Sequence, residues 1–259
     1  LTSGIQSLDD REIARWLERI EAGTLYVNRH ITGAIVGRQT FGGWKASSVG
    51  PGAKAGGPNY VLQLCRARQV APSVEEPAML QAAADSYERA WREHFSQVYE
   101  PIRLLGERNV FRYRPCRRVL VRGEAATAAG RLALSLVLLA TRACGAPVTV
   151  SLSAGEPGLW LAEADDGGAV AETEAELIAR LGAGGFERLR ALVPISHALR
   201  AAAHSAGMAV LDAPVLAAGR LELRHYLREQ TVSHLVHRYG SVPLEPLTLP
   251  SPQRGEGDS

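Results

Sequence analysis

The sequence predicts an α/β protein in which a parallel open sheet covered by helices occupies residues 116–240. Three observations carry this. Strand-like and helix-like segments alternate through that region, the connections between them are short, and the strand segments are apolar runs of the kind buried on both faces. A chain of 259 residues with 46% hydrophobic and 22% charged content suffices for one large or two small domains, and is neither a polyelectrolyte nor a membrane-dominated chain. Lys plus Arg number 29 against 27 Asp plus Glu, so no net electrostatic drive toward nucleic acid or acidic membranes is present.

From the N-terminus, Ser7 followed by DDREIARWLERIEAG reads as an N-capped helix with acids in its first turn; Ile13, Trp16, Leu17 and Ile20 share one face and Gly23 stops it. TLYVN (24–28) has the β-branched and aromatic content of a short buried strand. The next stretch, TGAIVGRQTFGGWKASSVGPGAKAGGP (32–58), holds too much glycine for a regular element. Its apolar residues Ile35, Val36, Phe41 and Trp44 argue against disorder, so an ordered, ligand-facing loop is expected. YVLQLCRARQV (60–70) alternates apolar and polar residues as an exposed strand does, and APSVEEP (71–77) reads as a linker. A helix over 78–95 places Leu80, Ala84, Tyr87 and Trp91 at helical spacing.

NVFRYRP and RRVLVRG then read as strands, and Glu124 to Cys144 as a long buried helix. PVTVSLS (strand), ETEAELIARLGAGG (helix with a glycine stop), RLRALVPIS (strand), HALRAAAHSAG (helix) and MAVLDAPV (strand) continue the alternation of a Rossmann-like unit. The β-branched segment TVSHLVHRY is a further strand, whose pleat sends His234 and His237 to opposite faces and disfavours a shared metal. Leu227, Val232, Leu235, Val236 and Tyr239 supply too much apolar surface for a solvated peptide, so Leu223 to Arg238 is expected to dock. The tail 241–259, with four prolines, reads as extended or disordered.

Candidate chemistry is sparse. Cys65, Cys116 and Cys144 form no CxxC pair and follow no secretory leader, which suits a reducing, cytoplasmic setting. The apolar run Leu132 to Thr141 is about half the roughly 20 residues of a spanning helix. Gly50-Pro51-Gly52-Ala53-Lys54-Ala55 satisfies G-x-G-x-x-A on paper, but no βαβ unit surrounds it and a loop is expected. Asp165-Asp166 before Gly167-Gly168 reads as a turn with no third acid for calcium. No metal site is expected.

The segment SGIQSLDDREIARWLERIEAGTLYVNRHITGAIVGRQTFGGWKASSVGPGAKAGGPNYV resembles the end of the catalytic lobe of an aldehyde dehydrogenase of the L-glutamate γ-semialdehyde (1-pyrroline-5-carboxylate) type. TGA-V-G before the FGG element and KAGGP after it carry the resemblance. Thr40 stands where the family has Pro, and Ser47 and Ser48 occupy its serine-glycine stretch. ELRHYLREQTVSHLVHRYGS resembles the terminal motif of the bifunctional proline utilization A family, which joins a flavin-dependent proline dehydrogenase to the semialdehyde dehydrogenase and appends a non-catalytic aldehyde-dehydrogenase-like Rossmann domain.

The resemblance implies that backbone amides of Gly33 and Ala34 hold the substrate α-carboxylate and that Phe41 packs on its aliphatic chain. It implies a cysteine nucleophile, a general base and NAD-binding residues upstream of Leu1, FAD in a proline dehydrogenase domain absent here, and a homo-oligomer when full length. The expected partition is 1–58, catalytic-domain piece with the substrate-anchoring loop; 59–77, strand of an oligomerisation flap and linker; 78–115, helical and strand connector; 116–240, Rossmann-like domain with the terminal motif; and 241–259, tail. The chain, which opens without Met, then reads as part of a longer polypeptide, inactive alone. The alternative is that residues 116–240 form a stand-alone binding or assembly module without catalysis.

Overall fold

In the computed structural model of the chain, which describes residues 1–68, 75–154 and 168–237, the elements follow as β1 (Thr2–Ile5), α1 (Asp10–Arg19), β2 (Thr24–Val27), α2 (Glu76–Ala90), β3 (Glu107–Pro115), β4 (Val119–Arg122), α3 (Ala128–Cys144), β5 (Val148–Ser153), β6 (Ala169–Glu172), α4 (Glu174–Leu181), β7 (Arg188–Ala191), α5 (His197–Ser205), β8 (Ala209–Leu211), α6 (Gly219–Glu222) and β9 (Leu227–Leu235). They make two units. The first takes Leu1–Arg66, Ser96–Arg114 and the described residues from Arg228; the second takes Ala67–Phe95 and Pro115–Leu227. This differs from the boundary at 116–240, because β9 belongs to the sheet of the first unit.

In the first unit the strand order is β1-β2-β9-β3. β2 is parallel to both neighbours, with Thr24 opposite Thr2 and Thr231, and Leu25 opposite Ser3 and Val232. The TLYV strand is buried throughout, as its β-branched and aromatic content required. Helix α1 lays Ile13 and Leu17 against Leu25, Val27, Val110 and Val232, with Trp16 and Ile20 at the margin. Its cap is Asp9 instead of Ser7: Asp9 accepts from the Arg11 N–H at 2.8 Å, while the Ser7 hydroxyl accepts from the Asp9 N–H at 3.0 Å and donates to Glu12. The helix ends at Arg19, ahead of Gly23. Buried Arg112 reaches its last carbonyls, donating to Leu17 O at 2.8 Å and to Gln230 Oε1 at 2.8 Å, and Gln230 donates to Ala22 O at 2.9 Å.

The docking expected for the C-terminal motif is met over its described part: Leu223 and Tyr226 are buried in a 3₁₀ turn, and β9 is buried from Leu227 to His234. Arg238 and the tail 241–259 lie outside the described residues, as does Asp165-Asp166. The strand expected over 60–70 is not formed over its described residues, 60–68. Val61–Leu64 is a 3₁₀ turn, with Val61 68% and Leu64 84% exposed, because alternation alone makes no strand where no described neighbour supplies ladder partners.

The second unit has the strand order β6-β5-β4-β7-β8, all parallel. Numbered from β4, this is the 3-2-1-4-5 order of a doubly wound, Rossmann-like sheet. Thr127 caps α3 by accepting from the Gly130 N–H at 3.0 Å, and Gly145 at φ +68° ends it. Thr173 and Glu176 form a capping box on α4, and Ser196 caps α5. Leu120, Leu177, Leu181, Leu189, Leu199 and Met208 fill one core cluster. The helix expected over 78–95 runs from Glu76 to Ala90 and continues as a π-helical turn, Trp91–Phe95, which buries both terminal aromatics.

β7 carries two buried arginines. Arg190 pairs with Glu222 at 3.2 Å, both fully buried, and Glu222 also accepts from Tyr226 OH at 2.6 Å. Arg188 donates to the carbonyls of Arg224, His225 and Leu227, closing the 3₁₀ turn onto the sheet. Leu17→Ala should lower the unfolding free energy by about 2–5 kcal/mol in urea titrations, the cost of a buried leucine cavity. Leu8→Ala, at a 67% exposed position, should stay within about 0.5 kcal/mol of the parent.

Candidate functional site: a glycine-rich loop fastened to the C-terminal strand

Residues 32–58 form an ordered loop whose only described helical piece is the short 3₁₀ turn Lys45–Ser47. Its first limb leaves β2 through Asn28, at φ +56°, and reaches Gly33 at φ +79°, a left-handed conformation that a side chain would strain. Among the described residues, the N–H groups of Gly33 and Ala34 have no hydrogen-bond acceptor. A turn follows in which Arg38 and Gln39 N–H both donate to Ile35 O, at 3.1 and 3.3 Å, and the Gln39 amide reaches Tyr26 OH at 3.1 Å.

The second limb is fastened at several points. Phe41 and Ala55 form an isolated antiparallel bridge, N–H to O at 3.0 Å and 2.8 Å, and leave the Phe41 ring 39% exposed. Thr40 Oγ1 lies 2.5 Å from Thr231 Oγ1 of β9. The residue that stands in place of the family's proline thus has a partner of its own on the C-terminal strand. The Trp44 indole N–H donates to Glu229 O at 2.7 Å, and the Arg228 guanidinium covers the Trp44 ring, 4.2 Å from its centroid. The Lys54 N–H donates to Glu229 Oε2 at 2.7 Å, and Asn59 Nδ2 donates to Glu229 Oε1 at 2.8 Å and to Tyr113 OH at 2.9 Å. Gly23 admits the loop backbone: a Cβ there would lie 2.5 Å from Gly42 O.

Lys54 is fully buried, and its ammonium donates to Thr24 Oγ1 at 3.2 Å and to Gly42 O. Burial pulls its pKa from the usual 10.5 to about 7, against the opposing pull of the Glu229 carboxylate. Gly50 to Ala55 is accordingly a packed loop, not a dinucleotide turn.

The sequence-derived residues Gly33, Ala34 and Phe41 therefore share one loop, the first two on its free limb and the third on its fastened limb. Glu229, Lys54, Asn59 and Thr231 escaped the sequence reading, since nothing local in LREQTVSHL marks a glutamate that faces inward. Cys116 and Cys144 are buried and Cys65 is exposed, and none of the three is in a disulfide. No group of three or more potential metal ligands occurs among the described residues. His234 is buried in β9, and His237 lies past its end.

In the β4–α3 turn of the second unit, Glu124 lies ahead of the cap of α3, where its carboxylate accepts from the Thr127 hydroxyl at 2.7 Å, and Arg131 folds back onto Ala125 O and Ala126 O. The turn opens on Gly123, but Ala125 and Ala128 stand at the second and third glycine positions of a dinucleotide fingerprint. No described helix is long and apolar enough to cross a membrane.

Residues 1–70 match the model of the aldehyde dehydrogenase family. The bifunctional protein PutA of Rhizobium meliloti is 49% identical over 72 residues, 28% of this chain and 6% of that protein. A 1-pyrroline-5-carboxylate dehydrogenase of Geobacillus sp. is 41% identical over 70 residues, 27% of this chain and 13% of that enzyme. The structure of proline utilization A (PutA) from Corynebacterium freiburgense is similar over 92% of this chain and 23% of that one, with a TM-score of 0.68 and 37% identity. The chain is thus similar to part of PutA, and over residues 1–70 to the aldehyde dehydrogenase family; it spans about a quarter of the solved PutA chain and a smaller share of the curated relatives.

Lys54 makes a pH signature for the loop. Its folded pKa lies below the free value, so between about pH 7 and 10.5 the unfolded chain holds the extra proton and stability rises with pH. Lys54→Met should remove that rise. The check is the difference between the unfolding free energies of parent and variant across this window: a slope assigns the titration to Lys54, and a flat difference excludes it.

Proposed function

We propose that this chain supplies the substrate-carboxylate wall of an NAD-dependent L-glutamate γ-semialdehyde (1-pyrroline-5-carboxylate) dehydrogenase, which forms L-glutamate in proline catabolism. The observation that carries the reading is a pair of consecutive main-chain N–H groups, on Gly33 and Ala34, with no acceptor among the described residues and with Gly33 left-handed. Such a pair can take a carboxylate. On the fastened limb, Phe41 offers a flat apolar face to the methylene chain of the same substrate.

In this proposal the loop orients the semialdehyde by its far end, so that the aldehyde carbon is presented to a cysteine thiolate. NAD, when bound, accepts the hydride. The buried Cys116 and Cys144 cannot meet a substrate, and Cys65 lies in the exposed turn after the loop. The nucleophile, the water-activating base and the groups that hold NAD therefore come from outside residues 1–259, and FAD belongs to a proline dehydrogenase domain elsewhere in the longer protein. The second unit is a structural, non-catalytic domain in this reading, which Ala125 and Ala128 at the fingerprint's second and third glycine positions support. A cytoplasmic homo-oligomer is the setting that the resemblance implies.

Purified residues 1–259 should form no NADH from glutamate semialdehyde and NAD; clear NADH formation would overturn the proposal. In the longer enzyme, Phe41→Ala should raise KM for the semialdehyde by about tenfold, the loss of one aromatic contact, with KM for NAD unchanged.

A further inference from the structure

Glu229 receives three separate points of the loop. Its carbonyl accepts from the Trp44 indole, one carboxylate oxygen accepts from the Lys54 N–H and the other from the Asn59 amide. Both oxygens thus face donors, which only an acceptor-only side chain satisfies. The Lys54 N–H is one residue from Ala55, whose backbone bridges Phe41, and Thr40 on the other side of that bridge meets Thr231, two residues along β9. The grip and the bridge therefore form one continuous path from β9 to Phe41. Gly57 closes over the carboxylate, where a Cβ would stand 3.3 Å from Oε2 and 2.9 Å from Lys54 O.

We infer that Glu229 is the positioning residue of the substrate loop: its carboxylate on β9 fixes the Lys54–Asn59 limb and, through the Ala55–Phe41 bridge, the wall against which the aldehyde substrate packs. The inference rests on the reading of residues 32–58 as the substrate wall. Glu229 touches no substrate; it acts through the loop. Glu229→Gln keeps the volume but turns an NH₂ toward one of the two donors, so one hydrogen bond to a charged acceptor is lost and the other weakens.

The chain carries its own reporter, because Lys45 and Lys54 are its only lysines and a lysine-specific protease reads this loop alone. Lys54 is fully buried and Lys45 is exposed. Glu229→Gln should speed cleavage after Lys54 by about tenfold or more, the equivalent of one such hydrogen bond. Leu17→Ala serves as a control for general loss of stability. Trp44→Phe, which removes the indole N–H together with part of the ring beneath Arg228, should give a smaller acceleration in the same direction and serves if Glu229→Gln does not fold. Acceleration that is no greater than in Leu17→Ala, when each is compared with that variant's own loss of unfolding free energy, overturns the inference. In the longer enzyme Glu229→Gln should raise KM for the aldehyde with KM for NAD unchanged, a split that general destabilisation does not produce, and Glu229→Asp should restore part of it. If Lys54 is opened while KM for the aldehyde stays the same, the grip stands and the reading of the loop as the substrate wall fails.

Discussion

The seating of β9 between β2 and β3 is the interaction on which the first unit depends. β9 satisfies the backbone of β2 along one side, supplies Val232 to the core beneath α1, and carries Gln230 to Ala22 O in the turn between α1 and β2. Without it, β2 would keep only β1 as a neighbour, and a two-stranded pair is marginal in water. The pairing joins Thr24 to Thr231 across most of the chain. Closure entropy grows only with the logarithm of loop length, so so long a connection costs little more than a medium one. What it does demand is that the intervening unit be folded or tolerated while the strand finds its place.

The same strand presents its remaining groups to the loop. Arg228, Glu229 and Thr231 meet Trp44, Lys54, Asn59 and Thr40, so a glycine-rich segment with almost no regular structure is held by a rigid element. Buried polar groups carry that hold, and each is costly if left unpaired, which makes the loop geometry narrow. The low pKa of Lys54 reflects the same burial. Held this way, the limb that carries Phe41 is fixed, while the N–H groups of Gly33 and Ala34 have no acceptor among the described residues.

Much of this was legible in the sequence where the information is local. Periodicity located α1, α3, α4 and α5, apolar runs located β2, β5 and β7, and glycine density marked the loop. The apolar residues of the last motif indicated docking, and β9 docks. Non-local facts were not legible. The pairing of β9 with β2 leaves no trace in either segment, and Glu229 looks like an ordinary solvent-facing residue of a strand until Lys54 and Asn59 are placed over it. The alternation at 60–70 misled because a strand needs a neighbour, and the cap of α1 moved from Ser7 to Asp9 because both side chains can reach a free N–H. Gly33, Ala34 and Phe41 were found by resemblance, not by pattern.

The most direct measurement is residue-resolved hydrogen exchange on the whole chain carrying Thr231→Pro. This substitution removes the N–H that donates to Gly23 O at 2.9 Å and places a ring in a central strand, at a cost of about 3 kcal/mol or more. Leu25 to Val27, Phe41 and Ala55 should all lose protection together while Leu120 and Leu189, in the sheet of the second unit, keep theirs. Retention of protection in β2 and at the Phe41–Ala55 bridge would contradict the claim that β9 organises both.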